Sequence, residues 1–272
     1  MKKSVKILSV VLALVIVLGC FAACGGDKSE TKTTLVMATN AAFPPYEYVE
    51  GGEFVGIDVE IAKAIADKLG MELVIKDVDF GAIIGGVQSG KFDMGMAGMT
   101  VTEERLKSVN FSTTYATGIQ SVIVRADSEY TSFEDFYTGF DAEGNPAGVK
   151  EGIKIGVQQD TTGDIYSSDV PEKWGFGEDN VTRYKTGADA VQALKSNPSK
   201  VTAVIIDNEP AKSFVAANDG LKILDGEYAN EDYAICVAKE NTELLESINK
   251  ALAELQADGT IDRIIAKYIP AE

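Results

Sequence analysis

Residues 54–78, FVGIDVEIAKAIADKLGMELVIKDV, decide the fold class, because they have the pattern of a strand, a helix and a second strand in direct succession. The helical part places five apolar residues on one face: Val59, Ala62, Ile65, Ala66 and Leu69. Gly70 follows at once and is placed to end the helix. A unit of this kind predicts an α/β fold with mostly parallel sheets covered by helices.

The same alternation of strand and helix patterns runs along the chain on both sides of this unit. A polar segment rich in glycine and turn residues interrupts it at 126–152, and a second alternating series then begins. Two series of similar size predict two lobes, with residues 34–124 and 229–272 in lobe 1 and residues 125–228 in lobe 2. The strand-like runs IQSVIVRAD and EDYAICVAK lie where the pattern resets, so they are predicted to cross between the lobes.

The N-terminal residues have the pattern of an export signal followed by a tether. A basic start, MKKSVK, precedes an apolar run from Ile7 to Ala23, which predicts a signal peptide over residues 1–23. Cys24 follows small residues, as the lipidated cysteine of a bacterial lipoprotein does, and Cys20 is the alternative. Residues 24–33 would then be the lipidated N-terminus and a flexible tether. An ordinary signal peptide and an uncleaved membrane anchor remain alternatives.

The composition excludes several classes of function. The chain has 272 residues, of which 45% are hydrophobic and 25% charged, as in globular proteins. A formal net charge of −17 argues against nucleic acid as a partner. Histidine is absent, which excludes a histidine-dependent catalytic triad and a histidine-ligated zinc site. We expect no metal and no cofactor, and we expect the remaining thiol, Cys236, to be a buried apolar residue.

Polar residues of matching chemistry follow the predicted strands, and ligands of α/β sheets bind beyond the carboxyl ends of strands. Arg105 is the cation of this set, and Asp207 is an acid directly after the apolar run VTAVII. Hydroxyl and aromatic side chains complete it: Thr100, Thr161, Thr162, Phe43 and Phe80. The set suits a zwitterion whose carboxylate binds Arg105 and whose ammonium group binds Asp207. Taken singly, each residue also fits a structural role as a helix cap, a surface ion pair or a core residue.

Four longer stretches carry a resemblance to a known family: GIDVEIAKAIADKLG, FDMGMAGMTVTEERLKSVNFS, GVQQDTTGD and ADGTIDRIIAKY. From about Leu35 to Ile269 the chain resembles the extracytoplasmic solute-binding proteins of polar amino-acid ABC importers. The resemblance implies a two-lobed periplasmic-binding-protein-like fold that captures a free L-amino acid and delivers it to a membrane permease with its ATPase. It further implies a monomer, held by its N-terminal lipid at the outer face of the cytoplasmic membrane, that is not an enzyme.

The resemblance also implies roles for individual residues. Arg105 would bind the α-carboxylate, helped by Thr100 and by Thr161 or Thr162. Asp207 would bind the α-ammonium group, with the Gly98 carbonyl and the Thr100 hydroxyl assisting. The remaining residues would surround the ligand side chain, with Phe43 and Phe80 on its two faces and three residues at the specificity end: Asn40, Ala97 and Gln158. Because Asn40 is an amide where family members that prefer basic ligands have an acid, a glutamine-like or other non-basic amino acid is expected.

Two alternatives use the same fold. The first is a cyclohexadienyl or arogenate dehydratase-like enzyme, which needs a general acid or base directed into the cleft, and Glu47 is the nearest candidate. The second is an extracytoplasmic amino-acid sensor module, which would need a separate signalling partner.

Overall fold

The structure is a computed structural model that describes residues 33–270. The predicted signal peptide, both candidate lipidation cysteines and nearly all of the predicted tether lie outside the described residues. Between residues 33 and 270, no helix combines the length and the apolar character needed to span a membrane.

Strands and helices alternate from Thr34 onward. The strands are β1 Thr34–Thr39, β2 Ala42–Phe43, β3 Glu47–Glu50, β4 Glu53–Val55, β5 Glu72–Asp77, β6 Met94–Gly95, β7 Val109–Phe111, β8 Ala116–Arg125, β9 Ile155–Gln158, β10 Val181–Tyr184, β11 Ala203–Asp207, β12 Leu221–Ile223, β13 Ala229–Tyr233 and β14 Cys236–Ala238. The helices are α1 Ile57–Leu69, α2 Ala82–Gln88, α3 Glu103–Ser108, α4 Thr162–Ser168, α5 Gly187–Lys195, α6 Asn208–Ala217, α7 Thr242–Ala257 and α8 Thr260–Tyr268. Short 3-10 helices lie at Phe133–Phe136, Pro171–Lys173 and Glu178–Asn180.

The helix α1 forms where the apolar spacing predicts it. Ile57, Ile61 and Ile65 are fully buried, and α1 packs on α7 and α8. Burying each isoleucine stabilises the fold by about 1.5–3 kcal/mol. Gly70 ends the helix in the left-handed conformation with φ of 66°, which a glycine adopts without steric cost.

The first sheet has the strand order β5-β1-β6-β14-β7. β1 pairs in parallel with β5 and β6, whereas β14 runs antiparallel to both of its neighbours. One strand of the five therefore runs against the others. Since the carboxyl ends of β1 and β6 meet at one edge, Asn40 and Gly98 come together there.

The second sheet has the order β10-β9-β11-β8-β12, and β13 pairs with the first half of β8, ahead of the residues that pair with β12. β9, β10 and β11 are parallel, and β8 runs antiparallel to each strand it pairs with. The carboxyl ends of β9 and β11 bring Gln158 and Asp207 to the same edge. A third, small sheet is made by β2, β3 and β4, in which Phe43 pairs with Glu47.

The chain passes between the two large sheets twice, through residues 112–115 and again through residues 234–235. These two segments are tied together, because the Tyr115 N–H donates to the Tyr233 carbonyl at 3.0 Å. Two mostly parallel sheets, flanked by helices and joined by two crossings, confirm the predicted α/β class. The prediction that the run IQSVIVRAD crosses between the sheets is wrong. Most of this run lies in β8, which pairs with strands of the second sheet although the predicted bounds put most of it in lobe 1. The bounds of the lobes themselves remain a prediction.

Some predicted strands differ from the observed ones. The run EDYAICVAK is divided into β13 and β14, because the chain leaves the second sheet at Ala234 and enters the first at Cys236. The run KFDMGMAGM contains only the two-residue strand β6. Cys236 is a free, fully buried thiol in the apolar cluster below α2.

Candidate functional site

One cavity of about 310 Å³ is lined by all of the site residues singled out in the sequence. They are Asn40, Phe43, Phe80, Ala97, Gly98, Thr100, Arg105, Gln158, Thr161, Thr162 and Asp207. Glu47 also lines this cavity. The first sheet and its loops contribute residues 40–105 of this set, and the second sheet contributes the others. Residues that are far apart in the chain thus meet at the facing edges of the two sheets.

Arg105 is the buried cation of the cavity, with 7% of its surface exposed. Its backbone N–H donates to the Thr102 hydroxyl, the cap of α3, at 3.1 Å. The guanidinium donates from Nη1 to the Thr100 carbonyl at 2.8 Å and from Nη2 to the Asp160 carbonyl at 3.1 Å. Burial lowers the pKa of Arg105 from its usual value, but a guanidinium stays protonated in proteins. The geometry therefore holds a fixed positive charge beside the cavity.

Two hydroxyl groups face each other across the cavity from the two sheets. Thr100 follows β6, Thr162 begins α4, and their Oγ1 atoms are 3.4 Å apart. Thr161 caps α4 by accepting from the Asp164 N–H at 3.3 Å, and its hydroxyl donates to the Gln158 carbonyl at 2.8 Å. Next to Arg105, these groups suit the binding of a carboxylate.

Asp207 is the buried acid at the end of β11, and the Tyr233 hydroxyl donates to its Oδ1. Burial, together with the neighbouring carboxyl of Glu231, raises the pKa of Asp207 well above its usual value. An ammonium group placed beside Asp207 would favour the ionised carboxylate. The chemistry of this part of the cavity therefore fits a cationic ligand group.

Gly98 allows the chain after β6 to approach the cavity closely. Its φ is 50°, and a Cβ atom at this position would be 2.8 Å from the ring of Phe43. Its N–H donates to Asp58 Oδ2 at 2.8 Å. Both the conformation and the space at this position therefore require glycine.

Two amide side chains meet in the cavity. Gln158 Nε2 donates to Asn40 Oδ1 at 2.8 Å, and Asn40 Nδ2 donates to the Val78 carbonyl at 2.9 Å. Asn40 follows β1 and Gln158 ends β9, so this contact also joins the two sheets. Amides donate and accept hydrogen bonds without carrying charge.

Glu47 lines the cavity but is absent from the set implied by the resemblance. It is 1% exposed, and its Oε2 atom is buried without a hydrogen-bond partner. Burial, the charge of Asp58 and a hydrogen bond with it raise the pKa of Glu47 well above its usual value. Burial likewise raises the pKa of Asp58 to about 6. The hairpin of β2 and β3 folds Glu47 back beside Phe43; had that hairpin been predicted, Glu47 would have joined the set.

A larger groove of about 1220 Å³ lies beside the cavity and shares Phe80 and Arg105 with it. This groove is open to solvent, and its buried acid, Asp164, is already paired with Arg183 Nε at 2.8 Å. The smaller, more enclosed cavity is therefore the candidate site. Among residues 33–270, no group of three or more carboxylates or thiols is arranged to hold a metal ion.

Known proteins with similar sequences bind amino acids. The arginine-binding extracellular protein ArtP of Bacillus subtilis is 31% identical over 92% of this chain and 92% of its own length. The ABC transporter glutamine-binding protein GlnH of Bacillus subtilis is 32% identical over 81% of this chain and 76% of its own. A solved structure of an ancestral arginine-binding protein bound to glutamine has a TM-score of 0.77 and 38% identity, covering 89% of this chain and all of that one.

The two-lobed fold of such binding proteins agrees with the two sheets and two crossings described above. Residues 35–271 also match the profile of the bacterial extracellular solute-binding proteins, family 3. The match spans nearly everything that follows the predicted tether. The chain belongs to the family 3 bacterial extracellular solute-binding proteins.

Proposed function

We propose that the protein captures one free polar amino acid in the cavity and delivers it to the permease of an ABC importer. The observation that carries this proposal is that a buried guanidinium, Arg105, and a buried carboxyl group, Asp207, line the same cavity. An α-amino acid presents the complementary carboxylate and ammonium groups.

The side chain of the ligand is proposed to be neutral and polar, as in glutamine. Asn40 and Gln158 supply amide groups that can pair with a terminal amide, and Phe43 and Phe80 offer apolar faces. A cationic side chain such as that of arginine is the second candidate. The observation that favours it is Glu47, whose buried Oε2 lacks a partner and could accept from a guanidinium.

A binding role is favoured over catalysis. Glu47 is the acid that a dehydratase would use, and its carboxyl group lies beside that of Asp58. The named relatives are binding proteins. We therefore expect no turnover of prephenate or arogenate by the purified protein; turnover that is lost in Glu47→Gln would support the enzyme instead.

The protein is proposed to act as a monomer outside the cytoplasm, held at the membrane by a lipid on Cys24, as part of an importer with its ATPase. The pattern of residues 1–33 supports this, as does membership of an extracellular family. Replacement of Cys24 by alanine should release the protein from the membrane fraction, whereas Cys20→Ala should not. The reverse result would make Cys20 the lipidated residue.

A thermal-shift screen against the twenty amino acids tests the central proposal. A ligand at 100 times its dissociation constant stabilises a protein by about 2.7 kcal/mol, which raises the melting temperature measurably. The shift should disappear in Arg105→Ala. It should persist in Arg125→Ala, which removes an exposed arginine paired with Asp127. Stabilisation by no amino acid, or an equal shift in Arg105→Ala, would refute the proposed site.

A further inference from the structure

A second buried acid lies behind Asp207. Glu231, on β13, is 6% exposed, and its Oε2 accepts from Gln120 Nε2 of β8 at 3.0 Å. Its other oxygen, Oε1, is buried without a hydrogen-bond partner. Glu231 does not line the cavity, so its effect on a ligand would pass through Asp207.

Asp207 and Glu231 lie on the two strands that flank β8, and both contact the same residue of it: Asp207 pairs in register with Gln120, and the Gln120 side chain donates to Glu231. Two buried carboxyl groups on either side of one residue cannot both ionise without a large electrostatic cost. Burial and the charge of Glu231 raise the pKa of Asp207 well above its usual value. The pair therefore holds a proton in the empty cavity, and Asp207 is the group placed to carry it.

The surroundings of the pair agree with this assignment. The groups that face Asp207 or Glu231 from the packed elements are Arg105 of α3, Tyr166 of α4, Tyr233 of β13, and Tyr46 and Glu47 at the start of β3. Arg105 is the cation among them. The three phenols are neutral near pH 7, since burial raises the pKa of each one.

We propose that Glu231 is a positioning residue that keeps a proton on Asp207 in the empty cavity, and that capture of an amino acid expels this proton. The inference rests on the proposed function, in which Asp207 binds the ligand ammonium. The proton balance is simple. The ammonium group enters with its own protons, Asp207 changes from carboxylic acid to carboxylate, and one proton leaves to the solvent.

The sign of the pH dependence follows from this balance. A reaction that releases a proton is favoured as the pH rises, so ligand affinity should increase with pH. The increase approaches tenfold per pH unit while Asp207 is protonated in the free protein and ionised in the complex. It levels off once the pH exceeds the pKa of Asp207 in the free protein.

Isothermal titration calorimetry at pH 7 in phosphate and in Tris tests the proposal, because the two buffers take up protons with different heats. L-Glutamine and L-arginine are the probes, and whichever binds is titrated. The wild type should release protons on binding, and its affinity should rise with pH. In Glu231→Gln, which keeps the shape of the side chain but removes its charge, both effects should be smaller than in the wild type, because burial alone then raises the pKa of Asp207. Asp232→Asn removes an exposed charge from the same strand and should leave both unchanged.

The outcomes separate the two proposals. Binding without proton release in the wild type would overturn this inference and leave the binding function intact. Full release retained in Glu231→Gln would overturn the role of Glu231. If none of the twenty amino acids binds, both proposals fail. If Glu231→Gln does not fold, the pH profile of the wild type decides, and a flat profile overturns the inference. If both amino acids bind, release with arginine but not with glutamine would also overturn it, by assigning the proton to Glu47.

Discussion

Arg105 lies in the first turn of α3, where the partial positive charge of a helix N-terminus disfavours a cation. Glu103 and Glu104 precede it and offset part of this cost. The guanidinium itself turns away from the helix to the carbonyls of Thr100 and Asp160. Contacts outside the helix thus explain a residue that local helix preferences do not.

Replacing Arg105 by lysine keeps the charge but loses the planar fork of donors. We expect the affinity for the captured amino acid to fall at least about tenfold, because a hydrogen bond to a charged group contributes roughly 1.5–3 kcal/mol. Isothermal titration calorimetry measures the change. Arg125→Lys, at the exposed ion pair with Asp127, is the matched control and should bind as the wild type does. Unchanged affinity in Arg105→Lys would argue against a forked contact with the carboxylate.

Replacing Glu47 by glutamine shows which of the two candidate ligands, glutamine or arginine, has a side chain that contacts Glu47. Glutamine binding should change by less than about threefold, whereas any arginine binding should weaken at least about tenfold, since a charge-assisted hydrogen bond is lost. Titrations with both amino acids give the comparison. Glu50→Gln, at an exposed position on the same strand, should affect neither. An equal loss of affinity for both ligands would mean that Glu47 supports the shape of the cavity but does not contact the ligand side chain.

At the scale of elements, the loop after β6 shapes the cavity through Gly98. Gly98→Ala and Gly90→Ala both place alanine at a positive φ, 50° and 72°, and each should cost roughly 1–2 kcal/mol of stability. Only at Gly98 would the new Cβ meet the Phe43 ring; at Gly90 nothing lies within 4 Å. Ligand affinity should therefore fall in Gly98→Ala alone. Chemical denaturation measures the loss of stability, and calorimetry measures the ligand affinity. Equal affinities in both variants would contradict the prediction.

The elements that could be predicted are those with a strong local pattern. The apolar residues of α1 repeat at the spacing of one buried helix face, and β11 contains a continuous apolar run, AVII, that is buried throughout. β10 was not predicted, since its residues VTRY are half-buried or exposed and mix polar with apolar types. The division between β13 and β14 was not predicted either, because it depends on the chain changing sheets at Ala234.

The same distinction explains the candidate site. Asn40, Thr100 and Asp207 follow predicted strands. Their position at the carboxyl ends of these strands predicted that they lie close to one another. Glu47 lies on the short hairpin of β2 and β3, which the sequence pattern does not indicate. Glu231 lies on β13, which pairs with β8 from far earlier in the chain. The residues next to either acid do not mark it as buried, so both positions follow from strand pairing.

At the scale of the whole molecule, the facing edges of the two sheets are joined by several contacts around the cavity. One lies at the rim, where Lys185 Nζ, after β10, is 3.6 Å from Asp79 Oδ2, after β5. Deeper contacts include the amide pair of Asn40 and Gln158. Since these contacts span both sheets, they contribute to the closed arrangement in which a ligand would be enclosed.

Removal of the rim contact should therefore weaken binding slightly. Lys185→Ala should lower ligand affinity by about 1.5- to 5-fold, because exposed ion pairs are weak. The loss should shrink as NaCl is raised from roughly 50 to 500 mM, because salt screens exposed charges. Lys173→Ala removes an ion pair within one segment, with Asp169, and should not change affinity. Calorimetry at the two salt concentrations measures both variants; equal losses in both would show that the rim contact does not favour the closed arrangement.

The double passage of the chain between the sheets has a consequence for protein engineering and for evolution. All strands of the second sheet belong to the single stretch 116–233, and its two ends are neighbours, since the Tyr115 N–H donates to the Tyr233 carbonyl. This stretch is one continuous insertion between the two parts of the chain that form the first sheet. It contributes Gln158, Thr162 and Asp207 to the cavity, whereas Asn40 and Arg105 come from the part of the chain that precedes it. Exchanging this one continuous gene segment between relatives would therefore combine the two halves of the cavity from different proteins. Every strand of the first sheet would remain unchanged.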